Sequence, residues 1–397
     1  MAERTRTMST VFSHTGTVYN EKNNYLDSAS TSIGMDKSCV DTIGNREGFN
    51  NLSLSEVHRY GGLVNGIRRH SNGGVFRTFY DYPIAALQHA VPDPTAASGY
   101  PIGPIELNEY ALQLLAETNP GRSEVNVPQF LSELKDLPSL VRGYGRSVLK
   151  NLAVAHLQYR WGWRPLVTDI RNLLNFKEKT DRRFKELDRL RKGLKLKKGR
   201  TLDSGQKVRI GSNFTAQSAH FSVTGKWIDR YTHRVWGTVQ WYCPNWNNPF
   251  KDLNDKELTL KTRQILAGVN SAGALAAAWE IIPWSWLVGW FSNVDDVVNA
   301  TANSTEMRHR GICIMQHSTL SRTLEHSPLP YGLYELEMEP ILRRHERKKR
   351  YAVPYVLAFP TFRLPILTSR KLSIIAALSA LRFPESDRVA FKRQGLF

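Results

Sequence analysis

"LAAAWEIIPWSWLVGWFSNV" runs from Leu275 to Val294, and Glu280 is the only charged side chain between Arg263 and Asp295. About 20 apolar residues are enough to cross a bilayer, yet a run of this length equally suits the interior of a folded domain. Glu280 and Pro283 stand in its middle, and Ala276 to Ala278 add little hydrophobicity. Proline removes a backbone donor and starts or kinks a helix. From Pro283 onward, Trp286, Trp290, Val294 and Val297 recur at steps of four and three, the spacing of a core-facing helix stripe. A buried Glu280 needs a donor, and arginines are plentiful. The segment therefore reads as buried core, with a membrane span over residues 265–291 as the alternative.

Outside this segment the chain is strongly cationic. Its 397 residues hold 54 Lys and Arg against 36 Asp and Glu, a net charge of +18. Such an excess points to a polyanionic partner, nucleic acid or an anionic membrane surface. The charge is concentrated. Residues 142–200 hold 18 Lys and Arg against 5 Asp and Glu, and residues 342–350 hold 6 against 1. Drawn as a helix at about 100° per residue, "TDRRFKELDRLRK" gathers Arg182, Lys185, Arg189 and Lys192 on one face. Phe184, Leu187 and Leu190 fall close to opposite, and Gly193 is expected to end the helix. A ridge of cations suits double-stranded or hairpin RNA, for which shape and phosphate contacts dominate affinity. The expected RNA contacts are Arg182, Arg183, Lys185, Arg189, Arg191, Lys192, Lys195, Lys197 and Lys198, with Arg343, Arg344, Lys348 and Lys349 as a second patch. Strand alternation would divide that second patch between two faces.

The texture along the chain alternates. The first hundred residues are rich in Gly, Ser, Asn and Tyr and read as strands and turns. "IELNEYALQLLAET" has helical spacing and stops at Asn119-Pro120-Gly121. In "RVWGTVQWYC", Val235, Gly237, Val239 and Trp241 point one way while Trp236, Thr238 and Gln240 point the other. Helical texture returns from about Asp252 to Ala302, extended segments follow from Gly311 to Phe359, and Leu367 to Phe383 reads as a last amphipathic helix. The expected fold class is α+β, with helices and strands segregated. A β-sheet region comprises residues 1–103, 204–248 and 311–361, and an α-helical region comprises 104–203, 249–310 and 362–397.

Motifs of catalysis are missing from the sequence. It has no GxxxxGK[ST], HExxH or GxSxG pattern. Cys39, Cys243 and Cys313 are odd in number and far apart, which favours free thiols over disulfides or zinc. The chain is expected to be no enzyme and to need no cofactor or metal.

Two segments resemble the maturation (A) proteins of single-stranded RNA bacteriophages, the levivirus-like family. "AAAWEIIPWSWLVGWFSNV" is similar to their W-E-x-x-P-[FYW]-S-[FW] signature, and "LQYRWGWRPLVTDI" (Leu157 to Ile170) to their aromatic-Gly-Trp-x-Pro-Leu-x-x-Asp-Ile segment. "ETNPGRSEVNVPQFLSELKDLP" and "SRKLSIIAALSALR" match further helical blocks. Carried onto this chain, the motifs make Trp161, Trp163, Pro165, Asp169, Trp279, Glu280, Pro283, Trp286 and Trp290 a structural core. Gly289 departs from the family, which usually has Asp before the last tryptophan. The resemblance implies an elongated, monomeric virion protein, one copy per particle, with a helical bundle directed at the RNA and a sheet directed outward. It implies a protein that replaces a coat-protein dimer in the capsid, binds the 3′ region of the phage genomic RNA, adsorbs to a bacterial pilus, and enters with the genome. Partners would be that RNA, the phage coat protein and the pilus, with no stable membrane span. The aromatic, weakly charged N-terminal strands would be candidates for the pilus-facing end.

Overall fold

The computed structural model describes residues 2–22, 25–43, 49–61, 63–70, 76–83, 102–124, 175–217, 222–269, 291–301, 307–326, 334–358, 360–361 and 369–382, with isolated positions between 152 and 159. Both tryptophan motifs lie outside these residues. This includes Trp161, Trp163, Pro165, Asp169, Trp279, Glu280, Pro283, Trp286 and Trp290.

Eleven strands form one sheet: β1 (Ala2–Ser9), β2 (Phe12–Asn20), β3 (Tyr25–Ile43), β4 (Leu52–Tyr60), β5 (Leu63–His70), β6 (Phe76–Pro83), β7 (Leu196–Gln217), β8 (Ser222–Tyr242), β9 (Arg308–His326), β10 (Tyr334–Met338) and β11 (Leu342–Val353). Their order is β10-β5-β6-β2-β3-β4-β11-β9-β8-β7, with β1 paired to β3 off this path. The registered pairs are antiparallel. The described helices are α1 (Pro104–Thr118), α2 (Phe176–Arg191), α3 (Asp255–Leu266), α4 (Val294–Thr301) and α5 (Ser369–Arg382). A large antiparallel sheet with helices is what the α+β reading expects.

The chain divides into two compact units. One comprises Met1–Ala111, Gly199–Thr238 and Gly311–Tyr355; the other comprises Leu112–Lys198, Val239–Arg310 and Val356–Phe397. In the first, β11 lies mid-sheet, with Glu346 opposite Glu56 of β4 on one side and Thr319 of β9 on the other. Two facing carboxylates would repel, and neighbouring cations resolve the conflict. Lys37 pairs with Glu56 at 2.5 Å, while Glu346 takes Arg344 at 2.8 Å and Lys348 at 2.5 Å, with the His317 ring nitrogen 2.8 Å away as a further hydrogen-bonding partner. In β8, Val235, Gly237, Val239 and Trp241 are buried and alternate with half-buried neighbours, as the period of two predicts. Strand β7 starts at Leu196, earlier than the expected boundary at 204. "LKKGR" is thus the first stretch of a strand rather than the tail of the helical region.

In the second unit, α2 packs on α3. Leu187, Leu190, Leu258, Ile265 and Leu266 are buried with Phe250 and Trp241. Trp241 Nε1 donates to Thr118 Oγ1 at 3.2 Å, and that hydroxyl in turn donates to the Leu114 carbonyl at 2.6 Å. Helix α3 begins at a reciprocal cap, in which the Asn254 side chain accepts from the Glu257 amide and the Glu257 carboxylate accepts from the Asn254 amide. It ends at Gly268, whose φ of +69° lets the Gly268 and Val269 amides turn back onto the Ile265 and Gln264 carbonyls. No helix among the described residues is long and apolar enough to cross a membrane. The end of α3 also rules out one continuous helix over the whole of 265–291.

Two finer expectations need correction. Helix α4 begins at Val294 after a break at Ser292 and Asn293, where the Asn293 side chain accepts from the Thr361 amide at 2.7 Å. Val294 and Val297 therefore do not continue a single helical stripe from Trp286, because Asn293 is committed to another segment of chain. The three cysteines are free as expected, but only Cys243 and Cys313 are buried. Burial raises the Cys243 thiol to about 11.

Candidate nucleic-acid interface

Helix α2 owes its position to a buried stripe, Thr180, Arg183, Leu187 and Leu190, spaced three, four and three residues apart. The two leucines have no exposed surface. Gly193, at φ +72°, ends the helix as expected. Its amide bonds the Leu190 carbonyl at 3.0 Å, and the Leu194 amide bonds the Arg189 carbonyl at 2.9 Å. The opposite face is solvent-exposed and carries Arg182, Lys185, Arg189 and Lys192, the grouping predicted by the helical drawing. Lys185 and Arg189 make no ion pair among the described residues. Arg182 reaches Glu124 at 2.9 Å and Lys192 reaches Asp188 at 2.6 Å. Both cations remain more than 60% exposed, at 65% and 61%. Exposed pairs of this kind are worth about 0–1 kcal/mol, so a phosphate can displace either carboxylate.

Other members of the expected set are held differently. Arg183 points inward with its side chain 6% exposed. It donates to the Pro120 carbonyl at 2.8 Å and the Asn119 carbonyl at 3.5 Å, just past the end of α1, and to Glu124 at 2.9 Å. Arg183 thus fastens α2 to the end of α1 and is unavailable to a phosphate. Arg191 is bound by Asp188, Asp255 and the Leu253 carbonyl, which ties α2 to the start of α3. Lys195, just before β7, and Lys197 within it are exposed, while Lys198 turns to Glu186 at 2.7 Å. Burial, reinforced by Arg183, pushes the Lys198 amine below its ordinary range despite Glu186.

Glu124 is the hub that sequence reasoning missed. Burial alone would raise its carboxyl, but Arg183, Arg182 and Lys179 outweigh that effect and hold it below the usual carboxylate range. Nothing in the local sequence around Glu124 announces the role, because its partners lie 58 and 59 residues away.

In the second patch Arg343 is held inside the sheet, whereas Arg344 stays exposed and Lys348 half-buried. Arg343 is 3% exposed and donates to the Tyr60 carbonyl at 2.6 Å. It is buried because β11 runs between β4 and β9. Arg344 and Lys348 converge on Glu346, and Lys349 lies 4.8 Å from the Tyr351 ring centroid.

Residues 134–316 match the family described as phage maturation protein. The match covers 183 of the 397 residues, and over that span the chain is similar to phage maturation proteins. The match contains both tryptophan motifs, so the resemblance drawn from them is borne out. Maturation proteins of phages are virion components, so the match supports a virion location. No curated protein matches the chain.

Proposed function

We propose that this maturation protein is a non-enzymatic, single-copy, monomeric virion component that grips the 3′ region of the genomic RNA. It replaces a coat-protein dimer in the shell, adsorbs to a bacterial pilus and enters the host with the genome. The observation that carries the RNA part of this reading is the exposed ridge of Arg182, Lys185, Arg189 and Lys192 on a helix fixed from behind by Arg183, Leu187 and Leu190. Lys195 and Lys197 extend it past Gly193. A row of cations on a helix already formed meets a phosphate backbone without the protein backbone first having to be ordered, and it binds shape rather than sequence. Arg183 and Arg343 act within the protein and lie outside the proposed contact set.

The helical region would form the bundle directed at RNA, with the tryptophan motifs in its core. The sheet region would face outward. Ultraviolet crosslinking of intact virions tests the RNA assignment. Peptides covering residues 176–198 should carry crosslinked nucleotides. Crosslinks confined to peptides of the sheet region would overturn the assignment.

A further inference from the structure

Between β8 and α3 the chain forms a short polar loop, "CPNWNNPF", Cys243 to Phe250. Both ends are anchored, since Cys243, Pro244 and Phe250 are buried. Within it the Asn247 amide bonds the Pro244 carbonyl at 3.0 Å, and the Asn248 side chain accepts from the Phe250 amide at 3.0 Å. Trp246 projects outward from this rigid frame and is 75% exposed. A tryptophan exposes a large apolar area at a cost that burial would recover, and no described packing partner covers it. Its one described ring contact is ionic: the Arg308 guanidinium lies 5.2 Å from the ring centroid.

The loop is fixed to the end of the cationic helix. Asn248 Nδ2 donates to the Leu190 carbonyl at 3.0 Å and the Arg191 carbonyl at 3.4 Å. Gly193 passes so close to Asn245 that a β-carbon there would sit 3.6 Å from its side-chain oxygen. These bonds matter electrostatically as well. The C-terminus of a helix carries partial negative charge that repels phosphate. Here the Arg189 and Leu190 carbonyls are taken by the Leu194 and Gly193 amides, and Asn248 covers Leu190 and Arg191. Lys192 stands exposed at the same place.

We propose that Trp246 is a stacking platform for an unpaired nucleotide of the RNA, adjoining the phosphate-binding ridge of α2. The inference rests on the RNA-binding reading above and narrows its ligand to a helix interrupted or closed by unpaired bases, such as a hairpin with its loop. The base lies on the open ring face. Arg308 strengthens the stack through the cation–π contact and can reach the phosphate of the same nucleotide. A protein partner would also use an exposed tryptophan, but the Arg308 guanidinium against its ring and the bonds that hold its loop to the cationic helix favour a nucleotide.

The test compares full-length wild-type protein with W246A, W246F and K185E/R189E. The probes are a synthetic RNA hairpin with an all-adenosine loop and a blunt duplex of the same stem. W246A should weaken hairpin binding by about ten-fold or more while leaving duplex affinity and the salt dependence unchanged, and W246F should retain most of the hairpin affinity. Wild-type hairpin binding by W246A overturns the platform, including the case in which that variant fails only in virion incorporation. Equal losses on hairpin and duplex overturn it too, since stacking would then not be the cause. If K185E/R189E also binds both probes as tightly as wild type, the RNA-binding reading fails along with it.

Discussion

Arg183→Ala is expected to destabilise the helical unit by about 3–5 kcal/mol, the cost of breaking a buried charged network from one side. For a domain of this size that lowers the unfolding temperature by roughly 10 °C, which calorimetry of the full chain would read. The physical reason is that one guanidinium satisfies two backbone carbonyls beyond α1, Asn119 and Pro120, and also neutralises Glu124. Removing it leaves a half-buried carboxylate with weaker partners and two carbonyls without a charged donor. Arg182→Ala, one residue away, should cost no more than about 1 kcal/mol because its side chain is exposed. If both variants unfold alike, Arg183 is not the fastening described.

The same network fixes a pH dependence. The Glu124 carboxyl is held below its ordinary value, so its contribution to stability is fully present above the unfolded-state pKa of about 4.3. It is lost as the pH falls through the lower folded value. Protonation releases Arg182, Arg183 and Lys179 together. Glu124→Gln should therefore be less stable than wild type at neutral pH and should approach it in acid. A constant difference across the titration would contradict this.

Charge reversal of the ridge should produce the largest effect on function. Arg182, Lys185, Arg189 and Lys192 replaced together by glutamate should weaken RNA binding about a hundred-fold or more at low salt. The slope of log affinity against log salt should also flatten by about 3–4 if each residue meets one phosphate. All four side chains are exposed, so the variant should keep its fold, which circular dichroism would confirm. Filter binding across a salt series reads both numbers. An unchanged slope would remove these residues from the interface.

Much of this was legible in the sequence, for reasons visible in particular residues. The β8 alternation and the exposed face of α2 depend on local periodicity alone, and the structure reproduces both. The inward position of Arg183 was legible too. It shares the three-four-three spacing of Thr180, Leu187 and Leu190, but its charge made it look like a surface residue. Arg343 was not legible. Its burial follows from β11 being flanked by β4 and β9, a pairing between segments that lie far apart in the chain. Glu124 and Trp246 escaped for the same kind of reason. Their meaning comes from Arg183 and Arg308, partners that only the fold brings near.

In the proposed function the cationic helix α2 lies against folded genomic RNA. A density map of the intact virion, resolved without imposed symmetry, tests it most directly. The account predicts one non-coat subunit in the shell, with residues 176–192 in contact with the density of an RNA stem. That subunit with the α2 ridge turned to coat protein or solvent, and no nucleotide beside it, would contradict the account.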